Sequence, residues 1–367
     1  MRFVFLFIVC VFTLTAHAEM EGVVVWQPHA NGVKFILPKI RNMALSQFVR
    51  RYTKAIKSSP VYSSMEGTKE LGFPVQGGSF KKLPDSTAEH PNVAVVLNRP
   101  AQMADGPTFL AMAAGVFEKE GPRLYAIPIG LETVLSDQDM KAFRSWLNTM
   151  DGQLGMGGDD VHPAMYGRNE VGRALGDLSM ERDQEIIAYF REYLKNGKGR
   201  VFYICGALQR AAVMEGAELH DDIAHLTEDE HRFLNGKFST VEVIAEEGSE
   251  LAAAAGARRF KTTNAHHAAV NSDSAYSSEI QPRFKVTGYN IEPNGARGRI
   301  VKSIDFPGNA GFATQFHPEV GTFPEERRII QYVATGWKLR ARVAPHVILE
   351  CLENSLLRSL GIRRSTE

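Results

Sequence analysis

The chain reads as an α/β protein with a doubly wound, mainly parallel sheet and helices on both faces, a flavodoxin-like three-layer arrangement. Three observations predict it. From residue 91 onward, short apolar runs of strand character alternate with amphipathic helical stretches. The residues that carry chemistry fall where such strands end, which is where sites form in open α/β sheets. The 367 residues, with 44% hydrophobic content, are enough for one large domain with additions.

Each element has its own signal. Val93 to Leu97 is a continuous apolar run and the first core strand. Thr108 to Phe117 is the crossover helix, Leu124 to Pro128 the next strand, and Asp139 to Met150 a helix. Asp151 to Met156 is strand-like and runs into Gly157-Gly158-Asp159-Asp160-Val161-His162-Pro163. Glu181 to Leu194 places Ile186, Ile187 and Phe190 at helical spacing. Gly199 to Ile204 is a short buried strand, Cys205 follows, and Leu208 to Met214 is helical. Thr240 to Ile244, Phe284 to Tyr289 and Arg299 to Ile304 have strand character. Arg327 to Arg342 and Pro345 to Leu360 are helical patterns, their basic residues read as a solvated face.

The expected division is a signal peptide at 1–18, an N-terminal extension at 19–90, a catalytic domain at 91–335 and a helical extension at 336–367. Arg2 supplies a positive start, Phe3 to Leu14 an apolar stretch and Ala16-His17-Ala18 a small-x-small cleavage site. The stretch is too short to span a bilayer, and its alternative reading is a buried strand. A periplasmic or secreted location is therefore expected, with no stable membrane insertion after cleavage. The extension, which includes Pro74 to Gly78, either caps the domain or covers the active-site face. Outside the leader only Cys205 and Cys351 remain, too few for a disulfide framework. With 42 Lys+Arg against 42 Asp+Glu, nothing favours nucleic acid. No metal is expected, because the histidines are scattered without a ligand spacing, and no cofactor is expected.

Gly311 to Glu319 delivers a histidine, His317, and two positions later a carboxylate, Glu319. In an extended chain residues i and i+2 share a side, so Glu319 can orient His317 as a base. Cys205, on a sharp strand-to-helix turn, is the candidate nucleophile, though a buried structural cysteine is its bland alternative. The N–H of Gly206 and the Gly157-Gly158 turn are candidate oxyanion donors. His266 and His267 stand together beside Thr262 to Asn264, where the bland reading is a pair of histidines in a polar loop.

The order Gly-Gly-Asp at 157–159 with Pro163, Cys205 with Gln209, His266-His267-Ala268-Ala269-Val270, then Gln315-Phe316-His317-Pro318-Glu319 resembles the class I glutamine amidotransferase superfamily. More narrowly it resembles γ-glutamyl hydrolases of the γ-glutamyl-γ-aminobutyrate hydrolase type, over residues 91–335. The resemblance implies Cys205 as nucleophile, His317 as base, Glu319 as orienter, an oxyanion hole at Gly157, Gly158 and Gly206, and substrate contacts at His266 and Gln209. It implies hydrolysis of a γ-glutamyl amide through a thioester. The substrate would be a small γ-glutamyl peptide or amine, or a cell-wall peptide; a homodimer is left open. The chain departs from the pattern at Tyr203 and Ala207, where the family has glycines, at Gly206, where it has a larger residue, and at Ala268, where it has glutamine. Those departures keep a second expectation alive, a non-catalytic relative that binds a γ-glutamyl or peptidoglycan-derived ligand.

Overall fold

The strongest apolar runs of the chain become neighbours in a single sheet. The computed structural model describes residues 23–26, 33–40, 43–58, 83–98, 109–168, 175–176, 178–273 and 284–342. The centre of the sheet is built from β2 (Lys34–Pro38), β3 (Asn92–Val96), β4 (Arg123–Ile127), β5 (Gly152–Gly155), β6 (Arg200–Ile204) and β13 (Gly311–Thr314). They lie parallel in the order β2-β4-β3-β5-β6-β13. Val93 to Leu97 is buried throughout, as a strand covered on both faces must be.

Helices cover both faces. α3 (Asp137–Leu147), α4 (Met180–Asn196) and α5 (Gly206–Met214) pack on one another in one layer. α2 (Phe109–Lys119), α6 (Glu250–Ala255) and α7 (Pro324–Arg342) form the other. Serine caps start α3 and α4: Ser136 Oγ accepts from the Asp139 N–H and Ser179 Oγ from the Arg182 N–H. α7 runs through the expected boundary at 335/336, because Trp337 belongs to the core. Its indole packs on Phe117 at 5.1 Å between ring centroids and donates to the Arg200 carbonyl at 2.9 Å.

Two features differ from the expected layout. The first is an antiparallel wing beyond β13, made of β12 (Arg297–Phe306), β11 (Lys285–Ile291), β8 (Ser239–Ala245) and β9 (Arg259–Asn264). Three of these had strand character in the sequence; their antiparallel order is set by partners far apart in the chain. Residues 262–264 are the buried end of β9. A short pair, β7 (Leu219–His220) with β10 (Ala269–Val270), lies apart from the main sheet.

The second is the N-terminal extension. Its described part extends the sheet edge, with β1 (Val23–Trp26) antiparallel to β2 and β2 parallel to β4. α1 (Leu45–Ser58) follows, and the buried Tyr52 hydroxyl donates to the Ile129 carbonyl. Phe3 to Leu14, Ala16 to Ala18, Pro74 to Gly78, Pro345 to Leu360 and Cys351 lie outside the described residues.

Candidate active site

Cys205 sits between the last residue of β6 and the first of α5, with φ 53° and ψ −113°. A side chain with a Cβ rarely adopts a positive φ, and holding it there costs on the order of 1–3 kcal/mol. The neighbouring ladder holds it: the Cys205 N–H donates to the Thr314 carbonyl at 2.7 Å, and its own carbonyl accepts from the Gln209 N–H at 3.2 Å. The thiol therefore stands over the N-terminus of α5, whose dipole favours negative charge.

Two of the three departures at this elbow, Tyr203 and Gly206, have packing reasons. Tyr203 leans away from the thiol, its ring stacked on Phe190 at 4.0 Å and its hydroxyl donating to Gln153 Oε1 at 2.6 Å. Gly155, its register partner on β5, makes the room: a Cβ there would meet Tyr203 at 2.7 Å and Phe190 at 2.8 Å. Gly206 lacks a side chain because the Arg210 guanidinium fills that space, 2.9 Å from where a Cβ would stand.

His317 Nδ1 and Glu319 Oε1 are 2.8 Å apart, and both residues are buried. The pair meets for a different reason than strand alternation. β13 ends at Thr314; His317, at φ −109° and ψ 77°, caps a 3-10 turn over Pro318–Val320 that carries Glu319 back beneath the ring. The other side of His317 faces Cys205, whose charge acts on the ring. Burial works to deprotonate the ring, but the Glu319 and Cys205 charges, with the hydrogen bond to Glu319, push its pKa up to about 10. His317 is thus an imidazolium at neutral pH, and its proton is available to a leaving group.

The glycine turn closes on this pair. A Cβ on Gly157 would stand 2.9 Å from Cys205 Cβ and 3.2 Å from His317 Cε1. Gly158 has φ +148°, and a Cβ on it would meet Asn98 Nδ2 at 2.6 Å. Beneath the turn lies a buried ionic network. Arg182 donates to Asp159 Oδ2 at 2.9 Å and to the Asp160 carbonyl at 2.7 Å. Arg210 bridges Asp183 at 2.7 Å, the Gly206 carbonyl at 3.1 Å and the Asp159 carbonyl at 2.9 Å. One guanidinium therefore ties the turn, the nucleophile helix and α4 together. Buried charges so paired hold geometry more than they add stability.

Gln209 and His266, expected as substrate contacts, stand in the wall behind the thiol. Gln209 Nε2 donates to the Ala268 carbonyl at 2.8 Å and to Gln315 Oε1 at 3.2 Å, and Gln315 Nε2 reaches Cys205 Sγ at 3.5 Å. His266 Nδ1 lies 3.0 Å from the Ala268 carbonyl and its Nε2 2.8 Å from Lys302 Nζ. Both ring nitrogens thus have protein partners. Its neighbour His267 instead faces Asp160, Nε2 to Oδ2 at 3.3 Å. A rim of three apolar side chains flanks the site: Phe238 is 6.1 Å from the His317 ring, Phe233 packs on Phe238 at 4.8 Å, and Leu234 is exposed with Phe233.

Sequence reading missed Asn98, His231, Phe238 and Lys302. Only Lys302 carried a signal, as a lone charge in the apolar run Ile300 to Ile304. Gln315 stood in the motif itself, without a role.

The model of the Peptidase C26 family matches residues 124–319 of the 367, a span that holds the glycine turn, Cys205, His317 and Glu319. No curated protein sequence matches the chain. Among solved structures, a Thermoplasma acidophilum protein assigned to GMP synthase is similar at TM-score 0.44 and 15% identity, covering 69% of this chain and 96% of its own. The glutaminase domain of Trypanosoma brucei CTPS with bound acivicin is similar at TM-score 0.47 and 14% identity, covering 69% of this chain and 94% of its own.

Proposed function

Because the chain belongs to the Peptidase C26 family, one of cysteine hydrolases, we propose that it hydrolyses γ-glutamyl amide bonds with Cys205 as nucleophile. The observation that carries this reading is the elbow. Cys205 is held at a φ of 53° over a helix N-terminus and shares the Gly157 turn with a histidine whose Nδ1 is 2.8 Å from a buried carboxylate. A merely structural cysteine has no reason to bear that strain.

The charges set the order of steps. The thiolate attacks the γ-carbonyl carbon, and the developing oxyanion is received by the N–H groups of Gly206 and the Gly157-Gly158 turn. The C–N bond breaks as the His317 imidazolium gives its proton to the leaving nitrogen, which departs as the amine. The thioester sulfur carries no charge, so one of the two negative neighbours that raised the His317 pKa is gone. Neutral His317 then accepts a proton from water, whose oxygen attacks the thioester, and Sγ leaves again as thiolate beside the imidazolium. Glu319 holds the ring throughout.

The substrate in this reading is a small γ-glutamyl peptide or amine, or a γ-linked glutamyl stem of a cell-wall peptide. The apolar rim of Phe233, Leu234 and Phe238 suits a leaving group with an apolar side chain. Export to the periplasm or medium is part of the proposal and is supported by the pattern Arg2, Phe3 to Leu14 and Ala16 to Ala18. The test is a panel of γ-glutamyl and stem peptides, quenched in acid and read by mass spectrometry. The expected result is amine release together with one γ-glutamyl increment on the Cys205 peptide, both lost in Cys205→Ala. Turnover that survives Cys205→Ala refutes the nucleophile, and turnover of α- but not γ-linked amides refutes the substrate class.

A further inference from the structure

Two exposed apolar side chains stand near His317 on a short hairpin that holds them out. Of the four large apolar residues exposed among the described ones, only Phe233 and Leu234 are adjacent in the chain. The Leu234 N–H donates to the Lys237 carbonyl at 3.0 Å and the Lys237 N–H to the Leu234 carbonyl at 2.9 Å, which closes a two-residue loop. Within it Asn235 and Gly236 have φ of 52° and 74°, both positive, as a type I′ hairpin turn requires. The base is tied down as well. The carbonyl of the buried His231 accepts from the His266 N–H at 2.8 Å, and Arg232 donates to both oxygens of Asp222 at 2.8 Å. Phe238 leads straight into β8, its ring 6.1 Å from the His317 ring and 4.8 Å from that of Phe233.

From this arrangement we propose that the hairpin is the subsite for the residue that leaves, and that it selects γ-glutamyl amides of aromatic or large aliphatic amino acids. The proposal rests on the function proposed above and chooses between the two substrate classes which that reading leaves open. His317 gives its proton to the leaving nitrogen, so the residue carried by that nitrogen lies on the His317 side of the scissile bond. That is the side on which Phe238 stands. Phe233 packs on Phe238 and Leu234 follows it, so apolar surface runs from beside the catalytic ring out to solvent.

Aromatic rings attract one another at centroid separations of about 4.5–7 Å, so a leaving phenylalanine or tyrosine finds partners in Phe233 and Phe238. A leucine gains by covering the same surface. A cell-wall stem, in which a diamino acid commonly follows the γ-linked glutamyl residue, brings a charged group to a surface that cannot hydrogen bond it. The rigidity of the hairpin supports the same reading. A turn with positive φ at a non-glycine residue, on a base fixed by His231 and Arg232, keeps Phe233 and Leu234 from folding back onto the protein. Apolar surface displayed in this way is preorganised for a ligand.

Two ratios test the proposal. The first compares kcat/KM for γ-glutamyl-phenylalanine, γ-glutamyl-leucine and γ-glutamyl-lysine. The two apolar amides are expected to exceed the lysine amide by at least about tenfold, the scale of an apolar contact in a specificity pocket. Phe233→Ser combined with Leu234→Ser changes only exposed side chains, so the core is untouched, and it should reduce that ratio at least about fivefold. Equal kcat/KM for the three amides, or a ratio that survives the double substitution, overturns the subsite and leaves the proposed function standing. The second ratio needs no substrate. Labelling of Cys205 by N-benzyl iodoacetamide is measured relative to iodoacetamide, each divided by its rate with free glutathione. Both reagents meet the same sulfur, so its reactivity cancels and the fit of the benzyl group remains. A ratio of about ten or more in the wild type, lost in the double variant, is expected, and a wild-type ratio near one refutes the apolar subsite. Failure on every γ-glutamyl amide would sink the proposed function and leave this labelling ratio to stand by itself.

Discussion

Gly157 is where a single methyl tests the site most directly. Its φ is not in the positive region, so alanine meets no backbone strain there, and the whole effect comes from contact. The new Cβ would stand 2.9 Å from Cys205 Cβ, 3.2 Å from His317 Cε1 and 3.5 Å from the Ile204 carbonyl oxygen. Against the 3.4 Å at which ordinary contact begins, the shortfall to Cys205 is 3.4 − 2.9, or 0.5 Å. Cys205 Cβ cannot swing away, because it is fixed by a backbone already held at φ 53°. The turn or the His317 ring must therefore move by about half an ångström. Overpacking of this kind costs about 1–3 kcal/mol of stability, and a displacement of about 1 Å in a reacting group costs about 10² in rate. Gly157→Ala should accordingly fold, melt a few degrees lower and turn over about 10- to 100-fold more slowly. The assay is release of a chromophore from a γ-glutamyl anilide, with thermal melting alongside. Wild-type turnover in a folded Gly157→Ala enzyme would refute the packing of this turn on the catalytic pair.

Four further outcomes are expected. Gly115, on the exposed face of α2, has no described atom within 4 Å of the point where a methyl would stand, so Gly115→Ala should raise stability by about 0.5–1 kcal/mol and leave turnover unchanged. Glu319→Gln should lower turnover less than His317→Ala, because it removes an orienting charge and leaves the proton carrier; equal and negligible losses in kinetic assays would remove both from the mechanism. Asp183→Asn leaves Arg182 and Arg210 short of a buried countercharge and should cost about 3–5 kcal/mol in urea unfolding, a loss under about 1 kcal/mol counting against the network. His231, held down at about 2 when folded, stays neutral while the unfolded chain takes a proton below about 6.5, so its stability contribution is present above that pH and lost below it. That loss reaches about 2 kcal/mol at pH 5, and His231→Gln, which keeps an acceptor for Lys302, should flatten the acid limb in denaturant titrations from pH 6.5 to 5. His317 has the opposite sign, its contribution complete below about 6.5 and lost as pH rises through about 10.

The alternation of strand and helix, the cysteine at a strand-to-helix junction and the histidine two residues before a carboxylate were all legible because each is a local pattern. Apolar runs such as Val93 to Leu97 must be buried wherever they go, and a glycine pair after a strand marks a turn in any fold. Even there, local reasoning reached the His317–Glu319 contact by the wrong geometry, since a 3-10 turn and not strand alternation brings the two together. What the tertiary structure alone decided is which distant residues share a space. Gly155 makes room for Tyr203, and Arg210 occupies the volume that Gly206 leaves. Lys302 meets His231, Asn264 and His266 across separations of 71, 38 and 36 residues. These partners have no common spacing, and strands covered on both faces carry no alternation that would separate a wall residue from a core one. The reactive sulfur could thus be named from its own neighbourhood in the chain, whereas the charges that surround it were fixed only when the sheet brought separate strands together.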